Sequence, residues 1–330
     1  MMSHSLERML AKHAAVVYHP VKTPLERIRR AAAEMEKRHG WDATRWYATG
    51  SDDAGRSAAE QAVSGGPAAV IVAGGDGTVR AVAEVAHERG IPVALVPLGT
   101  GNLLARNLGV PLNDLEACVA AAFSGANRAV DVGVAELEDE EGVRSSHVFL
   151  VMAGIGLDAE MAERTSAFAK RRLGWLAYVS PIARSIIANR LFHLEYRVDD
   201  GRVRSTRAHT IIVGNCGTLT GNMLLIPAAV VDDGLLDVVM MRPKGRLGWA
   251  MIGTRLTVQG IARRSRLSRK MLRSAPALQA LAYAQGKRFE AHFDSPHGIE
   301  LDGDGFGSVV RVRISVRGAA LQVRHPSPAG

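Results

Sequence analysis

Ala73-Gly74-Gly75-Asp76-Gly77-Thr78 stands between an apolar run, Ala68-Ala69-Val70-Ile71-Val72, and a stretch of helical spacing, Val79-Arg80-Ala81-Val82-Ala83-Glu84-Val85. The order is strand, glycine turn, helix. Glycines in such a turn let a ligand come close to the backbone, because no Cβ intervenes. The helix that follows offers N–H groups with no intrahelical acceptor and the positive end of its dipole, and both suit phosphate. Asp76 lies inside this turn. A carboxylate does not bind phosphate unaided; it suits orienting a metal, a sugar hydroxyl or a proton. The turn reads as a nucleotide-phosphate site with chemistry attached.

The residues around it repeat that texture. Positions 14–18, 45–49, 70–73 and 92–97 are strand-like, and 24–37, 54–63 and the residues after 78 and 102 have helical spacing. Asn113 or Asp114 can cap a further helix. Alternating strands and helices imply a parallel sheet covered on both sides, with ligands beyond the carboxyl ends of its strands. Gly99-Thr100-Gly101-Asn102 also follows a strand, which makes a second phosphate contact through Thr100 and Asn102. After about Asp131 the texture becomes strand-rich: 129–137, 148–153, 193–198, 202–206, 210–213, 236–241, 289–294, 298–302 and 309–316. A helical block at 162–191 interrupts it. The expected domains are 1–131, 132–318 and a tail, 319–330, that either packs back or frays.

Bulk properties narrow the class. At 330 residues with 47% apolar content, the chain is globular and long enough for two cores. Cys118 and Cys216 cannot build a disulfide scaffold or a four-thiolate zinc site, and they fit a reducing compartment. The first residues hold no apolar core of signal-peptide length. The uncharged stretch 211–231 contains Asn215, Asn222 and Pro227 and does not read as a membrane span. The net charge is +8, with Arg255, Arg263, Arg264, Arg266, Arg269, Lys270 and Arg273 concentrated late. They fit a solvated helix face or contact with an anionic bilayer, where each is worth about 1 kcal/mol. Aromatic content of 5%, with no stacking platform among the arginines, argues against nucleic acid.

Several motifs are absent or fail. There is no Gly-x-x-x-x-Gly-Lys-Ser/Thr, no His-Glu-x-x-His and no Gly-x-Ser-x-Gly. Gly154-Ile155-Gly156-Leu157-Asp158-Ala159 mimics a dinucleotide fingerprint but lacks the acidic residue about 20 positions on. Asp232-Asp233-Gly234 reads as a turn or as a hard-cation site. Leu301-Asp302-Gly303-Asp304-Gly305 departs from a calcium loop, with Phe306 and Arg313 at ligand places. Its two carboxylates are either turn residues or a pair aimed at one reaction centre.

Together, Gly74-Gly75-Asp76-Gly77-Thr78, Pro97 to Asn102, Gly154 to Asp158, Pro227 through Asp232-Asp233-Gly234-Leu235-Leu236-Asp237, and Leu301 to Asp304 resemble the bacterial diacylglycerol kinase family. That family includes sphingosine and ceramide kinases and is related to NAD kinases. The resemblance runs from about residue 14 to 316. It implies an α/β N-terminal three-layer domain with a parallel sheet, plus a C-terminal β-sandwich domain with inserted helices, and an active site in the cleft between them. It implies ATP on Gly74, Gly75, Asp76, Gly77, Thr78 and Arg80, near Thr49, Thr100, Asn102 and the loop carrying His19, Pro20 and Lys22. It implies Mg²⁺ held by Asp233 and the carbonyls of Val230 and Leu235. Asp302, Asp304 or Asp76 would take the proton of a lipid hydroxyl.

Three positions depart from the family pattern. His19-Pro20 replaces Asn-Pro, Leu103 replaces an aspartate, and Asp304 replaces a glutamate. The activity implied is phosphoryl transfer from ATP to a lipid hydroxyl, most naturally diacylglycerol to phosphatidic acid. The location implied is cytoplasmic, peripheral to the inner face of an anionic membrane, with a homodimer left open. The alternatives are NAD kinase-like phosphorylation of a soluble substrate and a catalytically weak, nucleotide-binding regulator at the membrane surface.

Overall fold

The computed structural model describes residues 12–50, 53, 55–156, 191–217, 229–242 and 281–326. The chain forms two compact units, Met1–Val130 with Ala319–Gly330, and Asp131–Gly318.

The first unit has four parallel strands, β1 (Ala14–Tyr18), β2 (Arg45–Ala48), β3 (Ala69–Gly74) and β4 (Val93–Pro97). Their order is β2-β1-β3-β4, with Val17 beside Val72 and Val72 beside Leu95. Val16, Val17, Val70, Ile71, Val72 and Val93 are fully buried. Burial on both faces explains why β1, β3 and β4 are continuous apolar runs rather than alternating ones, while β2, at the end of the order, is partly exposed. The helices are α1 (Leu25–His39), α2 (Arg56–Ser64), α3 (Asp76–Arg89), α4 (Leu103–Leu108) and α5 (Leu115–Ser124). Helix α1 packs on α5 and α2 on α3, so two helix pairs cover the sheet.

Local chemistry sets the helix limits. Ile28, Ala31, Ala32 and Met35 form the buried stripe of α1. The helix ends at Gly40, which adopts φ 65°, with Lys37, Arg38 and His39 in its last turn complementing the dipole. Asp114 caps α5 by accepting the Ala117 N–H at 2.9 Å.

The second unit is β-rich: β5 (Ala126–Glu138, entering from the first unit), β6 (Arg144–Phe149), β7 (Met152–Ile155), β8 (Phe192–Val198), β9 (Arg204–Ala208), β10 (Thr210–Gly214), β11 (Leu236–Met241), β12 (Leu281–Gly286), β13 (Arg288–Leu301) and β14 (Asp304–His325). The antiparallel order is β12-β11-β10-β7-β13-β14, with β9-β8 joined to β13 and β6-β5 to β14. Strand β13 changes neighbours midway. Phe289–Phe293 pairs with β8 and Ile299–Leu301 with β7, across an irregularity between His292 and His297. Such a bend lets one strand serve two layers. Phe149, Ile155, Leu194, Ile211, Phe289, Phe293, Ile299 and Ile314 fill the core.

Three strand expectations change, and the tail takes one of its two alternatives. The stretch 148–153 is not one strand: β6 ends at Phe149 and β7 starts at Met152. The stretches 289–294 and 298–302 belong to one bent strand, and the strand expected at 202–206 occupies Arg204–Ala208. Residues 319–325 form the distal end of β14, which pairs with β4 in the first unit through Val323↔Val93. The helical block at 162–191 and the arginines at 255–273 lie outside the described residues, apart from Leu191.

Candidate active site

The first unit gathers its chemistry at the carboxyl ends of its parallel strands. The His19 N–H donates to Ala73 O at 3.3 Å, and the Thr23 hydroxyl donates to the same oxygen, also at 3.3 Å. This holds the loop of His19, Pro20 and Lys22 beside the glycine turn. The Thr49 N–H donates to Tyr18 O at 2.9 Å, which fixes the end of β2 next to that loop. The Leu98 N–H donates to Gly74 O at 3.0 Å. The His19 loop, Thr49 and the glycine turns therefore sit at the carboxyl end of one sheet.

The two glycine turns touch backbone to backbone. A Cβ on Gly99 would stand 2.6 Å from Gly75 Cα, and one on Gly74 would stand 2.8 Å from Thr78 Cβ. A side chain at Gly99 would displace main chain, and one at Gly74 would displace the Thr78 side chain. The turns are also tied through side chains. Asp76 Oδ1 accepts the Leu103 N–H at 2.6 Å and so caps α4. Asn102 adopts φ 48°, accepts the Gly99 N–H at 2.9 Å and donates to Gly99 O at 2.8 Å. The cap on α3 is the extended Gly75, which has no side chain of its own to cap the first turn. A helix start capped this way leaves main-chain N–H groups for an anion. Arg80 is buried in α3, with Nη1 3.7 Å from Glu84 Oε2. Leu103, at the start of α4, is a buried apolar residue.

In the second unit the Asp-Gly-Asp motif is a hairpin turn. Asp302 (φ 52°) and Gly303 (φ 90°) connect β13 to β14, and Leu301 pairs with Asp304. Two consecutive positive φ values are the pattern of a tight primed turn, for which Asp-Gly is a preferred pair. Unlike an ordinary turn aspartate, Asp302 is buried. Its Oδ2 accepts the Leu150 N–H at 2.8 Å, and its Oδ1 accepts those of Val151 (2.8 Å) and Met152 (3.0 Å). The carboxylate thus satisfies the main chain where β6 breaks from β7. Asp304 is half-buried at the start of β14.

Asn215 was not singled out by the sequence, yet it clamps the same break from the other side. It is fully buried. Its N–H donates to Val151 O at 2.8 Å, and Nδ2 donates to the carbonyls of Leu150 and Asp131, each at 3.0 Å. Those two bonds fix the amide orientation, and Oδ1 is left buried without a partner. Asp131, also missed, is buried and accepts the Gly234 N–H at 2.6 Å through Oδ2. A chain of contacts thereby joins Asp302, the 150–152 segment, Asn215, Asp131 and the Asp233 turn. The only hint in the sequence was a polar side chain inside an apolar run.

Asp233 is exposed, and its Oδ1 accepts the Leu235 N–H at 3.0 Å. Val230 is exposed beside it. No cluster of three His, Cys, Asp or Glu side chains with metal-binding geometry occurs among the described residues. The turn's donors are all oxygens, one carboxylate with main-chain carbonyls, and such a set suits Mg²⁺ that keeps several waters. Asp237 is fully buried on β11, hydrogen-bonded through Oδ1 to the Tyr283 hydroxyl. Burial pushes its carboxyl above the usual range, and the nearby Asp233 adds to the effect. Both cysteines are free thiols, and no described helix is long and apolar enough to cross a membrane.

Comparison with known proteins covers both units. Residues 13–135 match the diacylglycerol kinase catalytic domain, and residues 151–323 match the YegS C-terminal NAD kinase beta sandwich-like domain. A protein of Pseudomonas savastanoi pv. phaseolicola named "Probable lipid kinase YegS-like" is 29% identical over 97% of this chain and 95% of its own. A diacylglycerol kinase of Mycobacterium tuberculosis is 29% identical, covering 80% of this chain and 79% of its own. The chain spans about half (54%) of the length of a Synechocystis protein, sll0036, that it matches at 25% identity. A crystal structure of a Bacillus anthracis diacylglycerol kinase shares the fold, with TM-score 0.64 and 19% identity over 96% of this chain and 97% of that one. With both of its domain models matched along most of its length, the chain belongs to the diacylglycerol kinase family, a family of lipid kinases.

Proposed function

We propose that this chain transfers the γ-phosphoryl group of ATP to the free hydroxyl of a lipid, with diacylglycerol as acceptor and phosphatidic acid as product. The observation that carries the nucleotide half is the close approach of Gly75 and Gly99 beside the start of α3. It leaves bare main chain and helix N–H groups for phosphate oxygens. Thr100 is exposed on that edge, and Lys22 is exposed on the loop tied to it. Family membership supports the lipid half.

In such transfers the protein chiefly positions the reactants and balances charge. The lipid oxygen bonds to the γ-phosphorus while the bridging P–O bond breaks and ADP departs. The hydroxyl proton needs an acceptor. Asp302 is engaged by three main-chain N–H groups and Asp76 caps α4. We therefore assign the proton to Asp304 and make Asp302 and Asp76 positioning residues. Mg²⁺, held by Asp233 with the Val230 and Leu235 carbonyls, would supply counter-charge and stiffen that turn. The late arginines would dock the protein on an anionic membrane from the cytoplasmic side.

The test is transfer of ³²P from ATP to dioleoylglycerol in mixed micelles. Asp304→Asn should lower kcat by about 10²–10⁴-fold, the range of a lost general base, with ATP affinity kept. Unchanged turnover in that variant refutes the base assignment; no lipid product from the wild type refutes the function.

A further inference from the structure

Outside the turns described above, three side chains line up across adjacent strands of the second unit. His193 on β8 holds Asp294 Oδ2 of β13 at 2.8 Å through Nδ1 and Ser205 Oγ of β9 at 2.7 Å through Nε2. An ionised carboxylate can only accept, so Nδ1 carries the proton. In the neutral ring Nε2 is then the acceptor for the Ser205 hydroxyl. One tautomer satisfies both bonds, and it is the tautomer a general base needs.

The strand register produces this arrangement. Leu194 pairs with Phe293 and Glu195 with Ser205, while His193 faces Arg207. Side chains at every second position share a face, so Ser205 and Arg207 lie on the face that carries His193 and Asp294. The opposite face, with Leu194 and Phe293, is core. Strand β9 pairs only with β8 among the described strands, and Ser205 is exposed on it, open to a reactant. Arg207 is exposed and makes no ion pair among the described residues. Beside this row lies a concavity of about 890 Å³, lined by Val203, Glu195, His292 and Arg311 among others.

We propose that Asp294, His193 and Ser205 form a hydrolytic triad for carboxylic esters that carry an anionic group, an activity separate from phosphoryl transfer. A nucleophile within reach of a base that a third group orients is the arrangement that activates serine. Ser205 Oγ bonds to the acyl carbon as its proton passes to His193 Nε2. The ester C–O bond breaks and the alcohol leaves with that proton. Water then adds to the acyl-serine, giving a proton to His193, and the C–Oγ bond breaks as His193 passes that proton to Oγ, releasing the acid and restoring the serine and the neutral ring. Asp294 holds the ring and balances its positive charge. Arg207, next to the serine on the same face, binds the anionic group of the ester.

The experiment treats the full-length protein with diisopropyl fluorophosphate and follows the peptide containing Ser205 by mass spectrometry. The wild type should form an adduct at Ser205. His193→Gln should slow its formation about 100-fold or more, the contribution of a general base, and Asp294→Asn should slow it less. Arg207→Gln should raise KM for an anionic nitrophenyl ester with kcat kept. Lipid kinase activity, read in the same preparations, should be unchanged in all of them. No adduct at Ser205 in the wild type overturns the proposal. An adduct that forms equally fast without His193 overturns it too, since the three residues would then only tie strands together.

Discussion

Replacing Asp302 by asparagine separates a base from a main-chain anchor. The carboxylate accepts three N–H groups, from Leu150, Val151 and Met152. Asparagine keeps one acceptor oxygen, enough for the Val151 and Met152 amides that share Oδ1. Its NH₂ then faces the Leu150 N–H, donor against donor. An unsatisfied buried donor costs about 1–3 kcal/mol, and each of the two remaining bonds loses about 1 kcal/mol with the charge. The sum is about 3–5 kcal/mol. Hydrogen exchange by mass spectrometry on a peptide spanning 150–152 reads it locally. A loss of about 3 kcal/mol speeds exchange there by roughly 150-fold, taking about 1.4 kcal/mol per tenfold. Asp304→Asn should leave the same peptide protected while abolishing most turnover. Wild-type protection in Asp302→Asn, with turnover lost, would refute the anchor and return Asp302 to the role of base.

Other outcomes follow from the same geometry. Gly99→Ala puts a Cβ 2.6 Å from Gly75 Cα and 2.9 Å from Asn102 Oδ1. The two turns must part, and calorimetry should find ATP bound at least about tenfold more weakly; equal affinity contradicts the phosphate cradle. Burial raises the Asp237 carboxyl in the folded protein, so the native state holds that proton more tightly than the unfolded chain. The folded protein loses stability as pH rises from the ordinary aspartate value, about 3.9, through the raised one. Asp237→Asn removes that loss, so its melting temperature should gain on the wild type as pH rises from 4 to 7; parallel curves contradict it. The Cys118 thiol is buried, donates to Pro111 O at 3.2 Å and is pushed up to about 12, chiefly by burial. Iodoacetamide at pH 8 should leave it unmodified until the chain is unfolded.

The parallel half was legible because its signals are local. Strands β1, β3 and β4 are buried apolar runs, and β3 and β4 each lead into a glycine turn, so residues 74–78 and 99–102 announce themselves without knowledge of their neighbours. The tie between them was not legible, since Asp76 meets the Leu103 N–H 27 positions on. The acidic half shows the same division more sharply. Asp302-Gly303 has the sequence of a hairpin turn and is one, but its carboxylate binds amides at least 150 positions away in sequence. Alternation cannot signal such a partner, and the break between β6 and β7 is hidden inside a run that reads as continuous. Asn215 and Asp131 escaped for the same reason. Their roles come from the carbonyls and N–H groups they face after folding, and a single polar residue in a strand carries no mark of that.

The most direct measurement of the central claim incubates the full-length protein with a total lipid extract, NAD, Mg²⁺ and ATP labelled with ¹⁸O on its γ-phosphoryl group. All products are then weighed by mass spectrometry. The account predicts phosphatidic acid carrying the labelled phosphoryl group and no labelled dinucleotide. Label in NADP, or in no lipid at all, would contradict it.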